Sequence, residues 1–325
     1  MNNYSWLQKK LHQFALSPQF LREAAFDLES AVTASLDDDG EHVFISGMAR
    51  SGTTILLNAI YQSDSFASLT YSDMPFILAP NIWAKMFVNK TSSEMIERAH
   101  GDGIKVSTGS PEAFEEVFWK TFGEADAETQ EKFKRYVELI LIKNNKKRYL
   151  SKNNQNIRRL GVISGTFPNA KILIPFRKPV QHARSLLSQH TKFIADSEND
   201  KFISHYMKWI GHTEFGPNYK PIHDGRLQFK NDLDINHWLE QWYLTYKNCL
   251  RTMYSKPNVY FVCYEELCKT PAYWSNLLGV LNTGKKYDFP FRESQKDVPD
   301  TISTGVSEKA SVLFRELQVI SSNWA

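Results

Sequence analysis

Apolar residues recur at helical spacing near the start of the chain. Leu7, Leu11, Phe14, Phe20, Leu21 and Phe26 form stripes over about residues 4–35, broken near Pro18, and predict N-terminal helices. Asp37, Asp38, Asp39 and Gly40 make a turn. The apolar run His42 to Ser46 (HVFIS) predicts a strand, Gly47 to Thr54 a small-residue loop, and Ile55 to Tyr61 a helix. The alternation returns further on. A short strand is predicted at Lys147 to Leu150, then a helix through Arg158 and Val162. A second is predicted at Ala170 to Phe176 (AKILIPF), then a turn at Lys178–Pro179 and a helix to about His190. A third is predicted at Val259 to Tyr264, followed by a helix from Leu267 to Leu281. Pro175 is expected at its strand's exit, because proline cannot donate to a ladder.

Strands alternating with helices imply parallel βαβ units. The predicted fold is α/β, with a P-loop-like central parallel sheet of four or five strands flanked by helices. Residues 1–325 are read as one domain, with N-terminal helices over 1–40 and a helical, aromatic-rich cap or insertion at about 191–250.

Composition narrows the function. The chain has 325 residues, 42% of them hydrophobic and 13% aromatic, enough for a sizeable core. Lys and Arg number 39 against 36 Asp and Glu, a net +3, which argues against a general nucleic-acid binder but allows a local basic pocket. Cys249, Cys263 and Cys268 show no metal-ligand spacing and suit a reducing cytoplasm. The N-terminus does not read as a signal peptide, and no run of about 18 apolar residues predicts a transmembrane helix. Any membrane contact is expected to be peripheral.

The strongest chemical signal is GMARSGTT, Gly47 to Thr54, between a strand and a helix. Such a turn aims backbone N–H groups and the helix dipole at an anion. The spacing is that of a G-x-x-x-x-G phosphate loop, but Thr53 and Thr54 follow where a nucleoside triphosphatase carries Lys and Ser or Thr. The cation is instead Arg50, and the strand AKILIPF ends in Arg177 rather than a metal-binding Asp. The blander reading is a glycine turn capped by Ser51.

GMARSGTT resembles the 5′-phosphosulfate loop of sulfotransferases, G-x-x-[RK]-S-G-T-T. The resemblance assigns Arg50, Ser51, Gly52, Thr53 and Thr54 to the phosphosulfate. RKPVQHARS, Arg177 to Ser185, is similar to the family's R-x-P…S segment, which implies that Arg177 and Ser185 hold the 3′-phosphate of 3′-phosphoadenosine-5′-phosphosulfate (PAPS). VYFVCYEEL, Val259 to Leu267, resembles the family's late Y-E-[DE]-L segment, with Tyr264 either beside the nucleotide or in the core.

Asp73 lies 23 residues after Arg50. Related sulfotransferases of carbohydrates and of tyrosine place a catalytic Glu at a similar distance, which implies Asp73 as the base; the alternative is a cap of the helix containing Pro75 to Leu78. Glu112, Glu115 and Glu116 are rivals, or else the acidic first turn of a helix capped by Ser110. Lys152, just past its strand, resembles the K-[DNS]-P lysine that stabilises the leaving oxygen. His182 and His190 are also candidate bases, with supporting or surface roles as the alternative.

The resemblance implies direct in-line sulfuryl transfer from PAPS to a hydroxyl, with no required metal and with a saccharide or glycoconjugate as acceptor. Tyr206, Trp209, Tyr219, Trp238 and Trp242 can stack on sugar rings or fill a core. A P-loop kinase or NTPase and a non-catalytic nucleotide-binding protein are the alternatives, separated by Mg²⁺-dependent ATP turnover and by absence of sulfate transfer.

Overall fold

The computed structural model describes residues 5–38, 40–86, 96–97, 105–123, 126–199, 201–293 and 302–324. Helix α1 (Trp6–Leu16) starts in a reciprocal cap: Ser5 Oγ accepts from Gln8 N, and Gln8 Oε1 accepts from Ser5 N. Pro18 separates it from α2 (Gln19–Val32), as the sequence pattern predicts. Strand β1 (Val43–Ile45) runs into the small-residue loop and α3 (Thr53–Tyr61). Next come α4 (Pro80–Met86), the two-residue strands β2 (Ile96–Glu97) and β3 (Lys105–Val106), α5 (Glu116–Phe122) and α6 (Ala127–Asn144). Strand β4 (Leu150–Lys152) precedes α7 (Leu160–Thr166), and β5 (Lys171–Phe176) precedes α8 (Pro179–Asn199). The chain continues through α9 (Lys201–Trp209), α10 (Ile235–Met253), β6 (Val259–Cys263), α11 (Tyr264–Lys269), α12 (Pro271–Val280) and α13 (Thr304–Ser322).

The main sheet has the order β4-β1-β5-β6 with every pairing parallel, the α/β architecture that the alternation implies. Its strands are almost wholly buried, as a parallel sheet covered on both faces must be. Helix α10 packs along α8 and α13, and α13 covers β6. Leaving β1, the chain visits β4 on one side and then β5 on the other, so the loops after these strands converge at one end of the sheet. Carboxyl ends of parallel strands around such a reversal are where α/β proteins bind ligands.

Several predicted boundaries move. Strand β4 lies at Leu150–Lys152 instead of ending at Leu150, so Lys152 is the strand's last residue, paired with Ile45. Helix α8 runs beyond His190 to Asn199. The predicted helix over 267–281 is two helices, because Pro271 starts a new first turn. Residues 111–115 are not helical. An antiparallel bridge between Thr70 and Pro111 and the bond from Glu112 N to Leu69 O tie the start of that stretch to the 69–70 segment, and α5 begins only at Glu116.

Pro175 is the penultimate residue of β5 and sits opposite Val262 of β6. Strand β1 ends at Ile45, level with Leu173, so no β1 residue needs the N–H that Pro175 lacks. A Cβ on Gly47 would lie 2.8 Å from Pro175 Cγ, which is why the loop can turn there only with glycine.

Candidate functional site: two cationic anchors at the carboxyl end of the sheet

Two hydrogen bonds hold the loop after β1 in shape. Ser51 Oγ donates to Met48 O at 2.8 Å. His182 of α8 reaches Ala49 O through Nε2 at 2.6 Å. Burial pushes His182 down to about 3, despite the hydrogen bond to Ala49, so its imidazole is neutral and donates to the carbonyl. Arg50 has φ 70° and Gly52 φ 96°, both in the left-handed region. For arginine that conformation is costly, and strain of this kind concentrates at functional sites. Gly52 is required for a second reason: a Cβ there would stand 2.4 Å from Tyr264 Cδ2.

Arg177 follows β5 and is 8% exposed. Its Nε has no hydrogen-bond partner, and among the described residues no carboxylate pairs with the guanidinium. A buried guanidinium without a counter-ion is costly unless an anion completes it. Arg177 Nη1 donates to Arg50 O at 3.4 Å, and the guanidinium lies over the ring of Tyr264, 5.8 Å from the centroid. Tyr264 is itself buried and donates to Arg292 O at 3.0 Å. The tyrosine thus packs against both the loop at Gly52 and Arg177, serving the core and the site together. Its neighbour Glu265 accepts from Lys178 N at 2.9 Å and so tethers the entry to α8. Nearly two turns into α8, Ser185 Oγ accepts from Arg50 Nε at 3.2 Å.

Lys152 is 8% exposed, and its strand is braced by Glu115, the residue just before α5. Glu115 accepts from Tyr149 Oη (3.1 Å), Ser151 Oγ (2.5 Å), Asn156 Nδ2 (2.7 Å) and Trp119 Nε1 (3.1 Å). With its oxygens so engaged, it serves as an anchor of β4. Glu116 pairs with Arg159 at 2.7 Å and accepts from Asn153 at 2.8 Å; burial pushes its carboxyl up against the pull of Arg159. Glu112 accepts from Tyr71 Oη at 2.8 Å. Just beyond Lys152, Asn154 Oδ1 accepts from Thr53 Oγ1 at 3.1 Å, tying this segment to the loop after β1.

Asp73 is 1% exposed in a short 3-10 turn, Tyr71–Asp73. Its Oδ2 accepts from Thr70 N (2.7 Å) and Thr70 Oγ1 (3.0 Å), and its Oδ1 pairs with Lys143 of α6. It caps its own turn, not a helix over Pro75 to Leu78. Neither of its oxygens lacks a donor.

His190 Nδ1 accepts from Gly216 N at 3.1 Å and is 1% exposed. Trp238 and Trp242 are 1% and 0% exposed and Tyr206 is buried, which makes these three core residues; Trp209 and Tyr219 are half-buried. Two residues escaped the sequence reading. His212 and Glu214 lie in GHTEFG, Gly211 to Gly216, with His212 Nδ1 3.5 Å from Glu214 Oε2 and the charge of Lys152 acting on both. Their only local signal is the glycine at each end of the segment.

The site is therefore a strand–loop–helix anion cradle with two arginines, at the carboxyl end of a parallel sheet. Residues 42–213, more than half of the chain, match the sequence profile of the sulfotransferase family. The chain belongs to that family, and it is an enzyme of sulfuryl transfer. No curated protein matches its sequence. Among solved structures, it is similar to a sulfotransferase of Mycobacterium avium at 13% identity and TM-score 0.44, covering 97% of this chain and 79% of that one. A sulfotransferase of Mycobacterium tuberculosis H37Rv matches at 13% identity and TM-score 0.46, covering 99% and 87%. One from Alicyclobacillus acidocaldarius matches at 16% and 0.40, covering 87% and 98%. Among the described residues, no group of three His, Cys, Asp or Glu side chains is arranged to hold a metal ion, and no helix is long and apolar enough to cross a membrane.

Proposed function

We propose that this chain transfers the sulfuryl group of PAPS to an acceptor hydroxyl, directly and without a required metal. The observation that carries the reading is the pairing of a strained, loop-borne Arg50 with Ser185, beside a buried Arg177 that has no carboxylate partner. Two adjacent cationic positions suit a nucleotide phosphorylated at both ends. Arg50, Ser51, Gly52, Thr53 and Thr54 would hold the 5′-phosphosulfate, and Arg177 with Ser185 the 3′-phosphate. When bound, the nucleotide supplies the sulfuryl group and a phosphate leaving group. Lys152, at the carboxyl end of the strand next to β1, is assigned to the charge that develops on the leaving oxygen.

Asp73 remains the base that the family resemblance nominates, but the cap and the Lys143 pair occupy its oxygens, which favours an anchoring role. A saccharide hydroxyl is the acceptor class to test first, with Trp209 and Tyr219, both half-buried, the rings to test for stacking. A single domain and a cytoplasmic location, with Cys249, Cys263 and Cys268 free, belong to the same reading.

The test has two arms. The product nucleotide, 3′-phosphoadenosine-5′-phosphate, should raise the melting temperature in the presence of a chelator, by mass action of about 2.7 kcal/mol at a hundredfold excess over Kd. Labelled sulfate should then pass from PAPS to at least one member of a panel of glycans, phenols and small alcohols. Mg²⁺-dependent ATP turnover with no sulfate transfer would sink the proposal.

A further inference from the structure

The loop between α9 and the half-buried Tyr219 is built with unusual rigidity for a connection. Gly211 and Gly216 both have positive φ, 77° and 81°. A Cβ on Gly211 would lie 2.5 Å from Glu116 Cγ, and one on Gly216 would lie 2.9 Å from Phe193 Cβ. The backbone is thus pressed onto α5 at one end and α8 at the other, closer than any side chain would allow. Three more bonds fix it: His212 N to Met207 O (2.9 Å), Lys220 N to Thr213 O (2.9 Å) and Gly216 N to His190 Nδ1 (3.1 Å). Gln155 Nε2, three residues past Lys152, donates to Thr213 Oγ1 at 2.8 Å. That bond joins the loop to the Lys152 segment, which Asn154 joins in turn to the phosphate loop.

The loop presents a histidine–carboxylate pair. His212 Nδ1 lies 3.5 Å from Glu214 Oε2, and that same oxygen accepts from Thr213 N at 2.8 Å. The imidazole lies parallel to Phe193 at 10° and edge-on to Phe215, with centroids 6.2 and 4.4 Å away, so its ring plane is set by packing. The charged groups acting on His212 are Glu214, Lys152 and Glu112; those acting on Glu214 include His212 and Lys152, and Glu116 feels Glu214 from α5.

We propose that His212, oriented by Glu214, is the general base that takes the acceptor's hydroxyl proton. The inference rests on the reading of this site as the sulfuryl-transfer centre with Lys152 beside the leaving group. The acceptor O–H proton passes to the imidazole, and the oxygen's electron pair forms the new O–S bond. The S–O bond to the 5′-phosphate breaks with its electron pair on the phosphate oxygen, whose charge Lys152 offsets. Glu214 stabilises the imidazolium until the proton leaves to water. Burial holds His212 below its ordinary value, and Lys152 adds to this while Glu214 opposes it; the ring is neutral before reaction, as a base must be. Burial works against ionisation of Glu214, but His212, Lys152 and the Thr213 amide outweigh it and hold the carboxyl below its ordinary value.

The experiment compares His212→Asn, Glu214→Gln and the parent with two acceptors, a methyl glycoside and 4-nitrophenol at a pH where it is ionised. His212→Asn should lower kcat with the glycoside about 10²- to 10⁴-fold and leave the Kd for 3′-phosphoadenosine-5′-phosphate within about twofold. The already ionised phenol needs no base, so its transfer should fall far less. Equal losses with both acceptors, or parental rates in His212→Asn, would overturn the assignment. A second readout needs no acceptor: the His212 pKa followed by NMR of the imidazole. It should fall in Glu214→Gln and rise in Lys152→Gln, and the acidic limb of kcat/KM should move in the same directions. A His212 pKa indifferent to both changes would also overturn it. Failure of the parent to bind the product nucleotide or to transfer sulfate at all would instead defeat the sulfotransfer reading itself.

Discussion

Arg50 Nε donates to Ser185 Oγ at 3.2 Å, joining a loop residue to a helix residue 135 positions away. The contact brings the two anion positions side by side and gives them separable roles.

Arg50→Ala removes a preorganised charge from the group being transferred, so turnover should fall about 10²- to 10³-fold. Arg177→Ala should act on affinity, raising the Kd for 3′-phosphoadenosine-5′-phosphate while leaving that for adenosine 5′-phosphate nearly unchanged. Calorimetric titration of both nucleotides against both variants checks the division. Equal losses for both nucleotides in Arg177→Ala would remove the 3′-phosphate from that position.

Gly52→Ala places a methyl group 2.4 Å from Tyr264 Cδ2 at a φ of 96°. The change should lower the melting temperature and abolish binding of the product nucleotide. Adding Tyr264→Ala should relieve the collision but not the backbone strain, about 1–3 kcal/mol, so binding should return only in part. Full recovery in the double variant would show that φ matters little there.

Asp73→Asn keeps an oxygen for Thr70 but loses the charge that pairs with Lys143. Lys143 keeps some access to water, so the loss should be about 1–3 kcal/mol, below that for a fully buried pair, and visible in urea unfolding. Transfer by the folded fraction should persist. A variant of parental stability with transfer reduced about 10²-fold or more would return Asp73 to the role of base.

His182 makes the phosphate loop sensitive to acid. Its value in the fold, about 3, lies below that in the unfolded chain, 6.5. The unfolded chain therefore binds the proton more tightly. Stability from this group is complete above pH 6.5 and is lost as pH falls toward 3. His182→Asn should flatten the decline of unfolding free energy between pH 6.5 and 4, while weakening nucleotide binding through the lost bond to Ala49 O. An unchanged slope would mean that other buried groups carry the acid response.

Features specified over a few neighbouring residues were legible in the chain itself. Pro18 breaks the N-terminal helices because its ring and missing N–H do so locally, and Gly47 to Thr54 reads as an anion loop because a strand, a glycine turn and a helix start adjoin there. What the sequence could not reveal depends on partners distant along it. Asp73 looks like a base until Lys143 arrives from 70 positions away, and Glu115 looks like a helix's first turn until donors from Tyr149, β4 and the turn after it converge on it. His212 and Glu214 carried no recognisable motif; only tertiary packing sets them near Lys152, through two glycines pressed onto α5 and α8 and the Gln155–Thr213 bond. Backbone conformation and phosphate cradles are governed by short-range sterics and dipoles. The role of a carboxylate or imidazole is governed by the charges and donors folded around it, which only the tertiary structure brings together.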